Sequence, residues 1–598
     1  MKKELALLTA VLLLVSLFAG CGGGNTTTPT SAPTAAPAPT AAPATPSSGG
    51  DATPAPTAPP EDSGPYHFAA GKYAVDERGV PVEKFNYELP LTTTDEVFTY
   101  WTGAMVPDQI KDPDHYEEMP YQAMLLDLTG VHIEYHVIAS ASRKENFAAL
   151  LASDDLLDIM ISYSSYYPST MFNSIEDGYS VNLYDYKEYM PNYYYEIWHH
   201  EEDVNVRSKL MLNDHTIATF QGLNDEAMNS YGLCARGDML EKLSMTPDDV
   251  RTIDDLHDLC VALQSQLGVP YPLVLYDVLD PHRYMNCFDT IPSTNPGPVA
   301  VISPLFVKDG KVECANTTDG DKNYMSTISK WFSEGLIVPY WNTWTANNAF
   351  IPDFVDNVVA ITSMIPSEAD GYVDQEKNPG SYFTGMHEPV LYKGQVFHLG
   401  SAASWVTGFA TNAITTKCEN IPLLITYVDW FYSPDGVEIS NWGPEGVTFE
   451  YNDKGEKQLT EFILTNTAGP AWGILMYAYC DIYDPGILHR RRSYAYPGGE
   501  KLLAWYDTWA DPDYYVFDGS MVYPDSVNMD DEDRNVLKTM GTDLNTFVKE
   551  NYLMFVDGSR PMSDWDNYIA SLNGLKGWDE VHEVWQKYYD IFKEEHGL

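Results

Sequence analysis

Positive charge is what this chain has least of: 35 Lys and Arg stand against 86 Asp and Glu, a formal net charge of -51. Binding to a nucleic-acid backbone rests on Lys and Arg displacing condensed counterions, so nucleic acid is excluded as a partner and anionic ligands are disfavoured. The acids are scattered along the chain and describe a solvated surface, not an acidic tail. Long apolar runs are missing too: beyond Phe18 no stretch approaches the ~20 apolar residues that cross a bilayer. Cys234, Cys260, Cys287, Cys314, Cys418 and Cys480 lie far apart, and none of them forms the C-x-x-C spacing of a metal or redox site. Disulfides and buried free thiols both stay open. No nucleophile elbow, Walker loop or dinucleotide fingerprint stands in a fitting context, which removes the enzyme classes built on them. Glycoside hydrolysis needs only two carboxylates, which this composition supplies everywhere, so an exported glycoside hydrolase is the enzyme alternative.

What is present begins at the N-terminus. Lys2 and Lys3 precede an apolar run from Leu5 to Phe18 that closes on Leu17-Phe18-Ala19-Gly20-Cys21. This is the pattern of a secretory signal peptide ending in a lipobox, so residues 1–21 are read as a lipoprotein signal and Cys21 as the lipidated new N-terminus. Residues 22–64 are almost entirely Gly, Ala, Pro, Thr and Ser, with no aromatic residue and no Leu, Ile or Val. Such a segment buries nothing and serves as a disordered tether, reaching from roughly 35 Å as a coil to roughly 130 Å as extended polyproline. The expected location is the outer face of the cytoplasmic membrane, lipid-anchored and extracellular.

The domain that follows, 65–598, holds every Trp and Tyr of a chain with 14 Trp and 42 Tyr, and all of its 22 Phe except Phe18, and is long enough for two cores. Val97 to Trp101 reads as a strand, and Tyr121, Met124, Leu125 and Leu128 as one face of a helix closed by Gly130. Val131 to Val137 is a second strand. Ser142 to Glu145 has the form of a capping box opening a helix buried through Phe147, Leu150 and Leu151, and Leu156 to Ile161 is a third strand. Alternating strands and helices imply a parallel sheet, whose ligands bind beyond the carboxyl ends of the strands. That rule brings Trp101-Thr102-Gly103 and Ser162 to Tyr167 to one rim. Further helices are expected over Ile253–Leu267, Tyr324–Glu334 and Leu423–Tyr432, and from near Asp543 and Asp579, with strands at Tyr271–Tyr276 and Val358–Ile361. Ser433-Pro434-Asp435-Gly436 reads as a turn.

Several segments resemble one family. They are Phe147 to Ile159, Asp177-Gly178 with Val181-Asn182-Leu183, Arg236 to Leu243, Trp331 to Ile337, Asp429 to Gly436 through Asn441 to Val447, and Trp578 to Val581. In this order they are similar to bacterial extracellular solute-binding protein family 1, the LplA-like lipoprotein branch that serves carbohydrate ABC transporters. Leu157 stands where that family more often has proline, and Thr246-Pro247-Asp248-Asp249 departs from its usual turn. The resemblance implies an α/β, two-lobed periplasmic-binding-protein-like fold of the class II type, with a ligand cleft between hinge-linked lobes. It sets lobe 1 at roughly 90–230 plus a later return segment, lobe 2 at roughly 235–540, and C-terminal helices at 541–598. It also implies a monomer that captures a sugar or oligosaccharide and delivers it to ABC permease subunits, without a cofactor and without catalysis. A receptor for a peptide or another small solute on the same scaffold is the alternative.

Sugars stack their apolar faces on aromatic rings, so Trp101, Tyr163, Tyr166 and Tyr167 are the ligand candidates of the first lobe. Trp341, Trp344 and Trp405 are those of the second, the last set among small residues in Gly400 to Ser404. Arg236 is a candidate because its fork matches paired hydroxyls or a carboxylate, with an ion pair to Asp238 as the competing role. His132, Glu134 and His136 alternate on one strand face, but nothing nearby supplies a further metal ligand.

Overall fold

The computed structural model describes residues 64–103, 113–200, 204–226, 232–275, 287–290, 305–343, 349–399, 406–478, 484–524, 527 and 529–598. Its two main sheets are built from β1 (Val97–Thr102), β2 (His132–Val137), β3 (Ile159–Met160), β4 (Phe220–Asn224), β5 (Gly232–Arg236), β6 (Ile361–Met364), β7 (Phe383–Gly385), β8 (Thr407–Ile414) and β9 (Gly486–Leu488). The first sheet has the order β9-β4-β8-β3-β1-β2 and the second the order β6-β5-β7. β1 pairs parallel with β2 and β3, and β9 parallel with β4, as the strand and helix alternation predicts. β8 is the exception to an all-parallel sheet, because it runs antiparallel between β3 and β4. It returns from far along the chain and needs no helical crossover, so local periodicity carries no sign of it. The second sheet is antiparallel throughout.

The helices that pack on these sheets include α1 (Pro120–Thr129), α2 (Arg143–Ser153), α3 (Pro191–His199), α4 (Ile253–Leu267), α5 (Asp319–Ser333), α6 (Ile421–Trp430), α7 (Pro434–Trp442), α8 (Gly499–Trp509), α9 (Asp531–Asp557) and α10 (Trp578–His596). One core gathers β1, β3 and β4 with α2, α3 and α6, from Ala69 to Leu223 and again from Ala413 to Val437. The other gathers β5 and β6 with α4, α5 and α8 to α10, from Leu233 to Phe397 and again from Trp505 to Tyr588. These two cores define lobe 1 and lobe 2. The first takes in Ala69, Val80, Tyr87 and Leu91, so the stretch before β1 is folded onto lobe 1.

Several local expectations change: the expected strand over Tyr271–Tyr276 makes only isolated bridges at Leu273 among the described residues, and the one expected over Val358–Ile361 runs instead over Ile361–Met364. Ser142 makes no side-chain cap, because it ends a short 3-10 turn with its backbone in the helical region (φ -110°, ψ -3°) and not in the extended conformation an N-cap residue needs. The helix expected from Asp543 starts at Asp531, where Asp530 accepts the Asp533 N–H as its cap. Ser433-Pro434 opens α7, with the Ser433 hydroxyl accepting from the Gly436 N–H at 3.1 Å.

Asp429 shows why its motif is fixed. Its buried carboxyl accepts from the Tyr87 hydroxyl at 2.7 Å, the Asn192 amide side chain at 2.8 Å and the backbone N–H groups of Asn192 and Tyr193. The last two are orphan donors at the start of α3, so one carboxyl ties α6, α3 and the N-terminal stretch together. Burial raises its pKa to about 6 against those bonds. The described chain enters beside the start of β1: Tyr66 bridges to Thr92, and its hydroxyl donates to Glu96 at 2.8 Å. Entry is therefore at the amino ends of the parallel strands.

Candidate functional site

The strand directions locate the site. β1, β2, β3, β4 and β9 end at one edge of the first sheet, and antiparallel β8 begins there. All three passages between the lobes use that edge: β4 leads onward to β5, the chain returns through β8, and it leaves again after β9 toward α8. In lobe 2, β5 begins at Gly232 beside Met364, the last residue of β6, while Gly385 ends β7 beside Cys234. The carboxyl rim of the lobe 1 sheet thus faces the near ends of the lobe 2 strands.

Two features mark the lobe 1 rim. A Cβ on Gly103 would occupy the space of the Arg143 guanidinium, so the residue after β1 has to be glycine while Arg143, itself buried, donates through Nε to the Ile138 carbonyl at 3.3 Å. Ser162, two residues past the end of β3, is a non-glycine residue in the left-handed region at φ 51°, and its buried hydroxyl has no hydrogen-bond partner among the described residues. A strained backbone and an unpaired hydroxyl each cost on the order of 1–2 kcal/mol, and such costs collect where a ligand repays them. Lobe 2 offers a counterpart in Ser363 near the end of β6, also buried with an unpaired hydroxyl. Just beyond lies Glu368, whose pKa burial raises and which accepts from the Tyr372 hydroxyl at 3.4 Å.

The aromatic candidates sit one layer behind this rim. Trp101 is fully buried, donates its indole N–H to Asn146 at 2.7 Å and packs edge to face on Phe147 and Tyr166. Tyr163 is fully buried on Ser174, and Tyr167 is buried with its hydroxyl donating to Asp177 at 3.1 Å. Of the four, Tyr166 alone is partly exposed. Strand-end placement is right for all of them, but three of the rings turn inward to fill the core, the competing use of any aromatic side chain. Trp341 is likewise buried in the lobe 2 core. Arg236 is no ligand fork: 2 % exposed, it donates to both oxygens of Asp238 at 2.7 and 3.1 Å and to Asn357 at 2.8 Å. Trp344, Trp405, Cys21 and Cys480 lie outside the described residues.

His136 contacts Glu134 at 3.0 Å on the exposed face of edge strand β2, and among the described residues no group of three or more His, Cys, Asp or Glu could hold a metal ion. Cys234, Cys260, Cys287, Cys314 and Cys418 are free and buried, and burial raises the pKa of each thiol.

Sequence reading missed the crossing segments themselves. The Asn224 N–H donates to Val406 at 2.6 Å and the Asp225 N–H to Leu488 at 3.1 Å, which laces the three passages side by side. The Arg490 N–H donates to the Asp225 carboxylate at 2.9 Å. Arg490-Arg491-Arg492, three successive cations in so acidic a chain, was the available signal.

No protein-family model matches the chain, and no curated protein matches it. Solved structures do. One is the alginate-binding protein AlgQ2 without calcium ion, at 19% identity and TM-score 0.54, covering 83% of this chain and 99% of that one. Another is an HMO-binding, ABC-transporter-associated solute-binding protein from Bifidobacterium longum infantis, at 15% identity and TM-score 0.62 over 83% and 99% of the two chains. A third is the S. pneumoniae ABC-transporter substrate-binding protein FusA in complex with kestose, at 18% identity and TM-score 0.55 over 83% and 100%. The chain has the fold of the two-lobed solute-binding proteins. In a solute-binding fold the facing strand ends are the walls of the interlobe cleft, and the laced crossings are its hinge.

Proposed function

We propose that this solute-binding fold captures a neutral sugar or oligosaccharide between its lobes and hands it to an ABC importer permease, with no chemical step on the ligand. The observation that carries the reading is the placement of all three crossings at the carboxyl rim, which leaves a cleft walled by strand ends from both lobes. A ligand touching both walls favours the closed arrangement by its extra affinity for that arrangement, and release reverses it. The fold neighbours are named for binding alginate, HMO and kestose, all carbohydrates. Alginate is the poorest guide, since the cations at the rim and the crossings are already engaged: Arg143 on the Ile138 carbonyl, Arg491 on Glu226 and Asp507. The N-terminal pattern supports anchoring through a lipid on Cys21 at the outer face of the cytoplasmic membrane, and the proposed receptor acts as a monomer free to visit its permease.

The test is the thermal stability of the compact unit Pro59–Leu598 against neutral oligosaccharides, uronate oligomers and peptides. A ligand present at a hundredfold excess over its Kd stabilises by about 2.7 kcal/mol. Stabilisation by one neutral glycan class, recovered uncleaved, supports the reading. Stabilisation by peptides alone refutes the sugar assignment, and cleavage products refute the absence of catalysis.

A further inference from the structure

We propose that Arg491 sets the equilibrium between lobe arrangements without touching the ligand, by holding a charge bridge across the hinge; this rests on the capture reading above. The three successive arginines of the third crossing divide their work. Arg490 contributes its backbone N–H to Asp225 on the first crossing. Arg491 reaches with Nε to Glu226, also on the first crossing, at 2.7 Å, and with Nη2 to Asp507 on α8 of lobe 2 at 2.8 Å. Arg492 turns the other way: its guanidinium lies 3.7 Å over the Trp442 ring at the end of α7, in lobe 1. All three of its nitrogens are buried without a hydrogen-bond partner, and that burial lowers its pKa to about 10. A desolvated cation–π contact, with the Glu438 carboxylate on the same helix adding its charge, fastens residue 492 to lobe 1.

Residue 492 is therefore still held by lobe 1, the crossing passes to lobe 2 between it and α8, and Arg491 reaches Asp507 across that passage. A guanidinium is a rigid planar fork, so it satisfies two carboxylates on separate bodies only over a narrow range of their positions. Rotation of lobe 2 carries Asp507 with α8, while Glu226 follows β4 and lobe 1. The bridge belongs to the arrangement described here and is lost in the other. All three side chains are partly exposed, Arg491 at 47%, which makes the bridge sensitive to salt.

The experiment measures the distance between spin labels at Lys144→Cys on lobe 1 and Lys538→Cys on lobe 2, in Pro59–Leu598 carrying Cys480→Ser, with no ligand present. The expected result is that Arg491→Ala and Glu226→Gln each shift or broaden the interlobe distance, that 0.5 M NaCl does the same to the parent and little to Arg491→Ala, and that melting temperature moves by less than about two degrees. Affinity for whichever panel glycan binds then changes about three- to tenfold, upward if the shift is toward the ligand-bound distance and downward if away. Distances unchanged by both substitutions and by salt overturn the proposal. Because the distances need no ligand, failure of the sugar reading leaves this test intact.

Discussion

Arg236 and Asp321 show how a charged group in this protein is decided by what surrounds it. Arg236→Ala leaves Asp238 with Lys242 as its remaining cation and opens a gap in the buried site, so chemical denaturation is expected to show a loss of about 1–3 kcal/mol, with ligand affinity of the surviving folded protein unchanged. Asp321, fully buried near the start of α5, accepts from Thr290 at 2.8 Å through one oxygen while the other has no partner, and burial pushes its pKa up to about 8. The ordinary carboxyl of the unfolded chain titrates near 3.9, so the folded value is the higher one. The contribution of Asp321 to stability is then full below about pH 4 and is lost as pH rises through about 8. Asp321→Asn keeps the Thr290 bond and removes the titration; its melting temperature is expected to match the parent at pH 4 and exceed it by a few degrees at pH 8. Equal melting temperatures at both values would show that the carboxyl is not desolvated.

At the scale of elements, α8 is seated on the hinge-side end of the second sheet by aromatic rings. A Cβ on Gly232 would intrude on the Trp509 ring, whose indole N–H donates to the Leu233 carbonyl at 2.9 Å. Gly232→Ala is expected to cost about 1–3 kcal/mol by overpacking, measured by urea unfolding, and to loosen the seat of the helix that carries Asp507. Elements of this kind were unevenly legible. The parallel core β1 to β3, α1, α2 and α4 follow from periodicity because each buries one face against close sequence neighbours. β8 did not, since its position between β3 and β4 depends on partners hundreds of residues earlier. The strand-end rule brings the first-lobe candidates to one rim, but the structure turns three of their rings into the core. Trp101 and Tyr163 read as ligand platforms because of where they stand, yet Phe147 gives both of them a ring to pack on, and only the folded core reveals it. Ser162, the rim residue with backbone strain, carries no mark in a sequence of common serines.

For the whole molecule, the N-terminal reading is open to a direct test: Cys21→Ser is expected to move the protein from the membrane fraction of the producing cell to the medium, with the thermal response to ligand unchanged. Retention in the membrane fraction would refute the lipid anchor. The point at which the described chain begins has its own consequence. Tyr66 is fixed to Glu96 at the amino end of β1, and Tyr87 is pinned by Asp429 at the foot of α3, so the stretch between them is a strap clamped to lobe 1 on the side away from the rim. A pull applied through the N-terminal end is borne by that strap and by lobe 1 as a stator. Were the segment ahead of residue 64 the proposed tether, lobe 2, joined to it among the described residues by way of lobe 1, would be the rotor, and tension on the tether would do no work on the angle between the lobes.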